Sequence, residues 1–518
     1  MSAERGKEAM RIFESLKTGQ FTSPVYPGEG RPYGYTMRSW NRGMCGDLET
    51  WKKYVHLHRD LGFNNISIDV AWGDIEEKRG VYDFAGYDAH LRAIADAGLT
   101  LQIKLNSRKL PAWAKADRDA LLTGPDGKIV SDGGVVADDG VPTAPYHGLA
   151  DQRMIDGMQG FYRKVAGHCR DLPVLFYCSA FACCFESEYH NGVWTDYSLS
   201  ARRQFREYLK TAYASLRDLN EAWRTSYAAW DEVSVAWQPL ETMRDGLPDM
   251  RYVDFMKYRE WSARRFFDAM HAAIKAGDAR AEYGPQVGRI ICEVGMLRGA
   301  IGAFHWAENC EWIFVDPAPV DDMAFEMAVA RAGGRKVAVE LDGPGSYGAH
   351  GLTPRLPVLY AEHTRDCYAN GADYVCDANW EAAADYSRGI REGMYERGAA
   401  AKSEPYKARA AADAIYAGKW DSYLRKNLGW ARQPDQVRET ALACFQELRA
   451  GGKPADIVMD DTILQRPASL KQYKRIHLRG ARFVARKVWA LLKQSGAELL
   501  PGNDPMPARD ETGAPLDA

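Results

Sequence analysis

Eight short β-rich runs, each followed by a helical pattern or a long connection, fill roughly the first 400 residues and decide the fold class. They are Pro32–Arg38, Asn65–Trp72, Leu99–Leu105, Val174 onward, Gly288–Val294, Glu311–Asp316, Lys336–Glu340 and Ala372–Cys376. Several are apolar enough to be covered on both faces, as parallel strands are. The helices between them are marked by period and by stop signals. Tyr87, Leu91 and Ile94 fall at i, i+4 and i+7, and Gly98 stands where a C-terminal cap belongs. Trp51–Leu61, Met154–Cys169 and Tyr252–Ala276 read the same way, the first and last closing at Gly62 and Gly277. Eight βα units predict an α/β protein of the (β/α)8 TIM-barrel class, with its chemistry at the C-terminal ends of the strands. The rival, an open doubly wound sheet, usually carries a Gly-rich phosphate loop after its first strand, and this chain has none.

The barrel is expected over residues 25–398, after an N-terminal extension of residues 1–24, with a helical insertion near 198–230. The connection from Asn106 to about Asp151 is long, and loops of that length commonly serve a site. At Ala399-Ala-Ala-Lys-Ser-Glu-Pro405 the composition changes. A helix near 434–450, strands Ala455–Met459 and Tyr473–Leu478, and a helix near 484–494 predict a small α/β domain over 399–500. Residues 501–518, rich in Pro, Gly and Asp, read as a disordered tail.

A formal net charge of -3 gives no electrostatic case for nucleic acid or an anionic membrane as partner. No run approaches the ~18 apolar residues of a spanning helix. Met1–Met10 is charged and lacks the apolar core of a secretory signal, so a cytoplasmic location is expected. The ten cysteines form no C-x-x-C pair and read mostly as buried free thiols, with neither metal nor cofactor implied. Fifteen Trp and 27 Tyr supply the flat faces that carbohydrate sites use, although large cores also consume them.

The fourth run leads into Phe181-Ala-Cys-Cys-Phe-Glu-Ser-Glu-Tyr-His-Asn-Gly192, where Glu186 and Glu188 share one side of an extended chain. The seventh ends at Glu340, followed by Leu-Asp-Gly-Pro-Gly. Strand ends four and seven face each other across a barrel mouth. Glycoside hydrolysis needs two carboxyl groups so placed: one protonates the leaving oxygen, and the other attacks or activates water. The acid must keep its proton, which an apolar strand end favours, and the nucleophile must stay ionised beside a donor or cation. Arg108, after the third strand, is the candidate cation. Glu293 is a further strand-end carboxyl; with Asp316, Glu340 and Asp377 it would suit a metal-dependent isomerase or aldolase instead. A barrel without activity, serving as a sugar-binding scaffold, is the third reading.

Leu61-Gly-Phe-Asn64, Asp69-Val-Ala-Trp72, Ile75–Phe84, Pro111-Ala-Trp113, Phe205–Lys210, Leu219–Trp223, Asp316-Pro-Ala-Pro319, Glu340 and Ala369–Asp373 before Trp380 follow one another along the barrel. In that order the chain resembles the retaining glycoside hydrolases of clan A, most nearly the family 42 type bacterial β-galactosidases. The resemblance covers about residues 30 to 395 and implies Glu188 as general acid/base and Glu340 as nucleophile. Ser187 stands where that family has an asparagine that binds the sugar 2-hydroxyl, and His147 lies near the place of its site arginine. Trp380 suits the floor of a sugar subsite, and Trp72, Asn41, His190 and Asp316 are further candidate contacts. The implied activity is exo-acting β-glycoside hydrolysis by double displacement, on a β-galactoside first, with β-mannoside and β-glucoside as alternatives because of Ser187. A homo-oligomer, trimer or dimer, is implied as well.

Overall fold

The computed structural model describes residues 33–37, 48–60, 63–131, 144–180, 187, 189, 194–234, 242–291, 303–341, 356–377, 406, 409–424 and 436–516. Eight strands form one wholly parallel sheet: β1 Tyr33–Met37, β2 Asn65–Ala71, β3 Thr100–Asn106, β4 Val174–Ala180, β5 Gln286–Val287, β6 Trp312–Val315, β7 Lys336–Leu341 and β8 Tyr374–Asp377. Their order is β4-β3-β2-β1-β8-β7-β6-β5. The ring closes between β4 and the approach to β5, where Tyr177 bridges Tyr283 in parallel and Gly284 N donates to Tyr177 O. The result is a (β/α)8 barrel.

Helices α1 Leu48–Asp60, α2 Ala85–Asp96, α3 Gln152–His168, α4 Leu199–Ala212, α5 Leu216–Trp223, α6 Met250–Gly277, α7 Met323–Arg331 and α8 Leu356–Ala369 accompany the ring. α2 buries Tyr87, Leu91 and Ile94, the stripe its period predicts, and Gly98 follows it with a φ of 78°. α3 starts at Asp151, whose carboxylate accepts from the backbone N–H groups of Arg153 and Met154. α4 and α5 occupy the expected insertion.

Strand alternation divides the barrel strands into two sets. Ile66, Ile68 and Val70 of β2, with Leu101, Ile103 and Leu105 of β3, join the core beneath the helices. The opposite parity faces the lumen, which is polar on one side and aromatic on the other. Asn65, Ser67 and Asp69 of β2 and Gln102, Lys104 and Asn106 of β3 are all buried. Across from them Phe176, Cys178, Trp312, Phe314, Ala338, Tyr374 and Cys376 form one cluster, with Phe176 stacked on Trp312 at 4.5 Å. Buried polar groups need partners. Ser67 bonds Gln102, Gln102 Nε2 donates to Cys178 Sγ at 2.9 Å, and Tyr374 Oη donates to Asn65 Oδ1 at 3.0 Å.

The fifth strand departs from its expected position. Of the expected run Gly288–Val294, residues 288–291 are not strand and 292–294 lie outside the described residues; β5 is Gln286–Val287, reached through Gly284-Pro285. Gly-Pro reads as a turn. Here Gly284 is required because β5 runs against β6: a Cβ on it would lie 2.2 Å from Trp312 O. Pro285, lacking an N–H, still accepts from Phe314 N.

Beyond the barrel, β9 Asp413–Tyr416, β10 Ala455–Val458, β11 Arg475–His477 and β12 Glu498–Leu500 make a second parallel sheet in the order β10-β9-β11-β12. It is accompanied by α9 Gln436–Ala450, α10 Asp460–Gln465 and α11 Arg486–Gln494. The tail corrects its expectation: residues 501–516 are ordered. Arg509 bridges both Phe483 and Pro515, and Asp510 takes Arg486 at 2.8 Å and the Thr512 hydroxyl at 2.7 Å. Local hydrogen bonding by Asp and Thr, together with burial of Leu516 in the core of the small sheet, holds a segment whose composition resembles disorder. The six described cysteines, 169, 178, 310, 367, 376 and 444, are free and buried, and no described helix is long and apolar enough to cross a membrane.

Candidate active site

Glu340 lies near the C-terminal end of β7 with its side chain on the lumen parity, paired in register with Cys376 of β8. It is 2% exposed, and its Oε2 accepts from Lys104 Nζ at 2.6 Å. Lys104 is fully buried on β3 and extends across the lumen, passing 5.6 Å from the centre of the Phe314 ring. The cation expected of Arg108 is therefore supplied four residues earlier, from within β3. Arg108 itself is half-buried: its guanidinium is 5.8 Å from the Tyr146 ring, and its backbone N–H donates to Asn106 Oδ1. Asn106 Nδ2 also reaches Asp69 Oδ2 at 3.3 Å.

A signal for Lys104 was present in Leu-Gln-Ile-Lys-Leu-Asn. Polar residues at every second position of a strand covered on its other face mark a polar lumen, and Asn-Ile-Ser-Ile-Asp on β2 repeats the pattern. A lysine is buried in such a place only when paired.

At the opposite strand end the backbone N–H of Ser187 donates to Gln286 O at 2.5 Å, which fastens the segment after β4 to β5. The Ser187 hydroxyl is engaged inward, 2.7 Å from Ser179 Oγ and donating to Ser179 O at 2.8 Å, while Ser179 also meets Tyr283 Oη at 2.7 Å. Ser187 thus forms part of the β4–β5 closure. Tyr189, two residues on, is buried with Arg259 4.2 Å from its ring centre, and its hydroxyl donates to Arg259 O. Gln286 was not anticipated. Its register partner is Phe314, so it faces the lumen, and neither amide atom has a hydrogen-bond partner among the described residues.

His147 is fully enclosed, Nδ1 donating to Gly148 O and Nε2 facing Ser107 Oγ, both at 3.0 Å. Burial pushes it down to about 4, so the ring is neutral and does not replace a site arginine as a cation. Trp72 is placed in the core rather than at a sugar site. It opens the short helix Trp72–Ile75 that follows β2, is fully buried, stacks on Phe161 at 5.9 Å and donates to Glu76 Oε2. Its ring packs against α3, where a Cβ on Gly157 would sit 3.1 Å from it. Asp316 is half-buried just past the end of β6. Glu188, Glu186, His190, Asn41, Trp380 and Glu293 lie outside the described residues. Among the described residues no group of three or more His, Cys, Asp and Glu side chains could hold a metal ion.

The arrangement is a buried, ion-paired carboxylate at the mouth of a parallel barrel, facing a second strand end that carries a carboxyl pair in its sequence. Comparison with known proteins bears on the family and the fold. The glycoside hydrolase 42 family, described as Beta-galactosidase, matches residues 35–326, more than half of the chain. β-Galactosidase BbgII of Bifidobacterium bifidum is 27% identical over 176 residues, 34% of this chain and 24% of that protein's own length. The polyextremophilic β-galactosidase of the haloarchaeon Halorubrum lacusprofundi superposes with a TM-score of 0.68 at 16% identity, over 89% of this chain and 71% of that one. An exo-carrageenase of Bacteroides ovatus does so with a TM-score of 0.69 at 12% identity, over 95% and 68%. At such identities the two structures speak to the fold. The family match goes further: the chain belongs to glycoside hydrolase family 42, the β-galactosidase family.

Proposed function

We propose that this chain is a retaining, exo-acting β-galactosidase working by double displacement. The observation that carries the proposal is Glu340, a carboxylate held beside a buried ammonium at the C-terminal end of β7, in a chain of this family. Glu340 attacks the anomeric carbon while Glu188 gives its proton to the departing oxygen; Glu188 then takes a proton from water, which releases the sugar. Low dielectric around the lumen strengthens the hold of Lys104 on the nucleophile. Asp316, Arg108, Asn41, His190 and Trp380 are proposed to line the sugar. Ser187, turned toward Ser179, is proposed to shape the strand end rather than to bind the 2-hydroxyl. A homo-oligomeric state, trimer or dimer, supported by the resemblance, and a cytoplasmic location complete the proposal.

Nitrophenyl β-galactoside, β-mannoside and β-glucoside assayed side by side test the substrate, and the galactoside is expected to turn over fastest. Proton NMR of the first-formed sugar anomer tests retention. Glu188→Ala is expected to lower kcat by roughly 10²–10⁴ and to recover with azide. Glu340→Ala is expected to be inactive, and either variant keeping full activity overturns the assignment.

A further inference from the structure

The ammonium of Lys104 reaches across from β3 to hold Glu340 Oε2 at 2.6 Å. What it changes is the charge balance of the two chemical steps. Before attack Glu340 carries a negative charge, and the Lys104 contact stabilises it. In the first step an oxygen of Glu340 bonds to the anomeric carbon, the bond to the leaving oxygen breaks, and that oxygen receives the proton of Glu188. Glu340 becomes a neutral ester and loses most of its attraction for the ammonium. In the second step water gives its proton to Glu188 and bonds to the anomeric carbon. The ester bond breaks, and its electron pair returns to the carboxylate beside Lys104.

We infer that Lys104 is a positioning residue that restrains the first step and drives the second, keeping Oε2 as the ester carbonyl oxygen while Oε1 bonds to the sugar. The inference rests on the function proposed above. A cation 2.6 Å from a developing carboxylate, both buried, favours the state in which that charge is present. The other groups facing this pair do not replace it. Asp69 of β2 is itself acidic and bonded to Asn106. Cys178 of β4 and Tyr374 of β8 are pushed up by burial and stay neutral. Cys376 is the register partner of Glu340, and Asp316 follows β6. Among these described groups Lys104 supplies the positive charge.

The test uses Lys104→Met in the full-length protein, with Lys104→Gln as a second variant should the first fold poorly. Three readouts are expected to move. The acid limb of kcat/KM shifts to higher pH, because without the ammonium the carboxylate keeps its proton longer. Reactivation of enzyme trapped with a 2-deoxy-2-fluoro-galactoside slows at least tenfold. With a dinitrophenyl leaving group kcat falls, while kcat/KM measured above the acid limb equals or exceeds that of the parent. A uniform loss of kcat/KM at every pH, with unchanged reactivation, would mean a merely structural lysine and would overturn the inference. The trapped peptide separates the two levels. Fluorosugar on Glu340 with unaltered reactivation in the variants removes the role of Lys104 alone. Fluorosugar on another residue, or no trapping, removes the proposed function and this inference with it.

Discussion

Gln286 places an amide in the lumen with neither end bonded among the described residues, and burying such a group unpaired costs about 1–3 kcal/mol. Its carbonyl meanwhile takes the N–H of Ser187, so the amide stands beside the strand end proposed to carry the general acid. Native chains keep an unpaired group of this kind where substrate or an ordered water completes it. Gln286→Leu keeps most of the volume and removes the penalty. Thermal unfolding is expected to show a melting temperature equal to or above that of the parent, while galactoside kcat/KM falls about tenfold or more, the size of one lost hydrogen bond in a site. Full activity would make Gln286 an ordinary strand residue. At this scale the sequence was legible for placement, as for Glu340 near the end of a strand after an apolar run. It misled where the chain turns out of a strand: Trp72 looked like a sugar platform, but it opens the short helix after β2 and packs against α3.

Among the elements, β5 is where pattern and structure part. Seven barrel strands follow apolar runs, but β5 is short, and its approach contains a glycine and a proline that ordinarily break strands. Its identity comes from contacts far away in sequence: Tyr177 on β4, Trp312 and Phe314 on β6. Local pattern carries no trace of such pairing. The same holds for β9, whose Ala-rich Ala-Ala-Asp-Ala-Ile-Tyr carries no strand pattern of its own; Asp413 is paired with Arg475 at 2.7 Å and His477 at 2.9 Å on the neighbouring strand. Because Gly284 admits the backbone of Trp312, Gly284→Val drives β5 away from β6. Overpacking of this sort costs about 1–3 kcal/mol, and more where backbone must move. The variant is expected to unfold several degrees lower and to lose activity even at temperatures where circular dichroism shows it folded, since β5 also anchors Ser187. A variant matching the parent in both would show that β5 is not fixed by this close approach.

Taken whole, the molecule joins a barrel to a small parallel sheet through buried charge rather than through apolar contact alone. Lys419 reaches Glu260 of α6 at 2.8 Å and Asp461 at 2.7 Å, Tyr423 donates to Glu260 at 2.6 Å, and Arg438 of α9 binds Asp321 at 2.8 Å and Glu326 of α7 at 2.5 Å. Two carboxyls in this seam retain protons unusually far up the pH scale. Burial raises Asp460 from 3.8 to about 7, against the opposing pull of Lys419, and burial with the neighbouring Asp321 raises Glu326 from 4.5 to about 7. Between those limits the folded chain binds protons that the unfolded chain has released. Stability therefore falls as pH rises through this window, by up to about 1.4 kcal/mol per pH unit for each group. His147 works in the opposite sense, its contribution being lost as pH falls from 6.5 toward 4. The contrast of variants isolates the seam. Asp460→Asn keeps an acceptor for Lys419 N and Tyr416 Oη but cannot ionise. Its melting temperature is expected to vary less steeply than that of the parent between pH 5 and 7, and to exceed it most at the upper end. Parallel melting curves across that range would place the charge of Asp460 outside the balance that holds the two parts together.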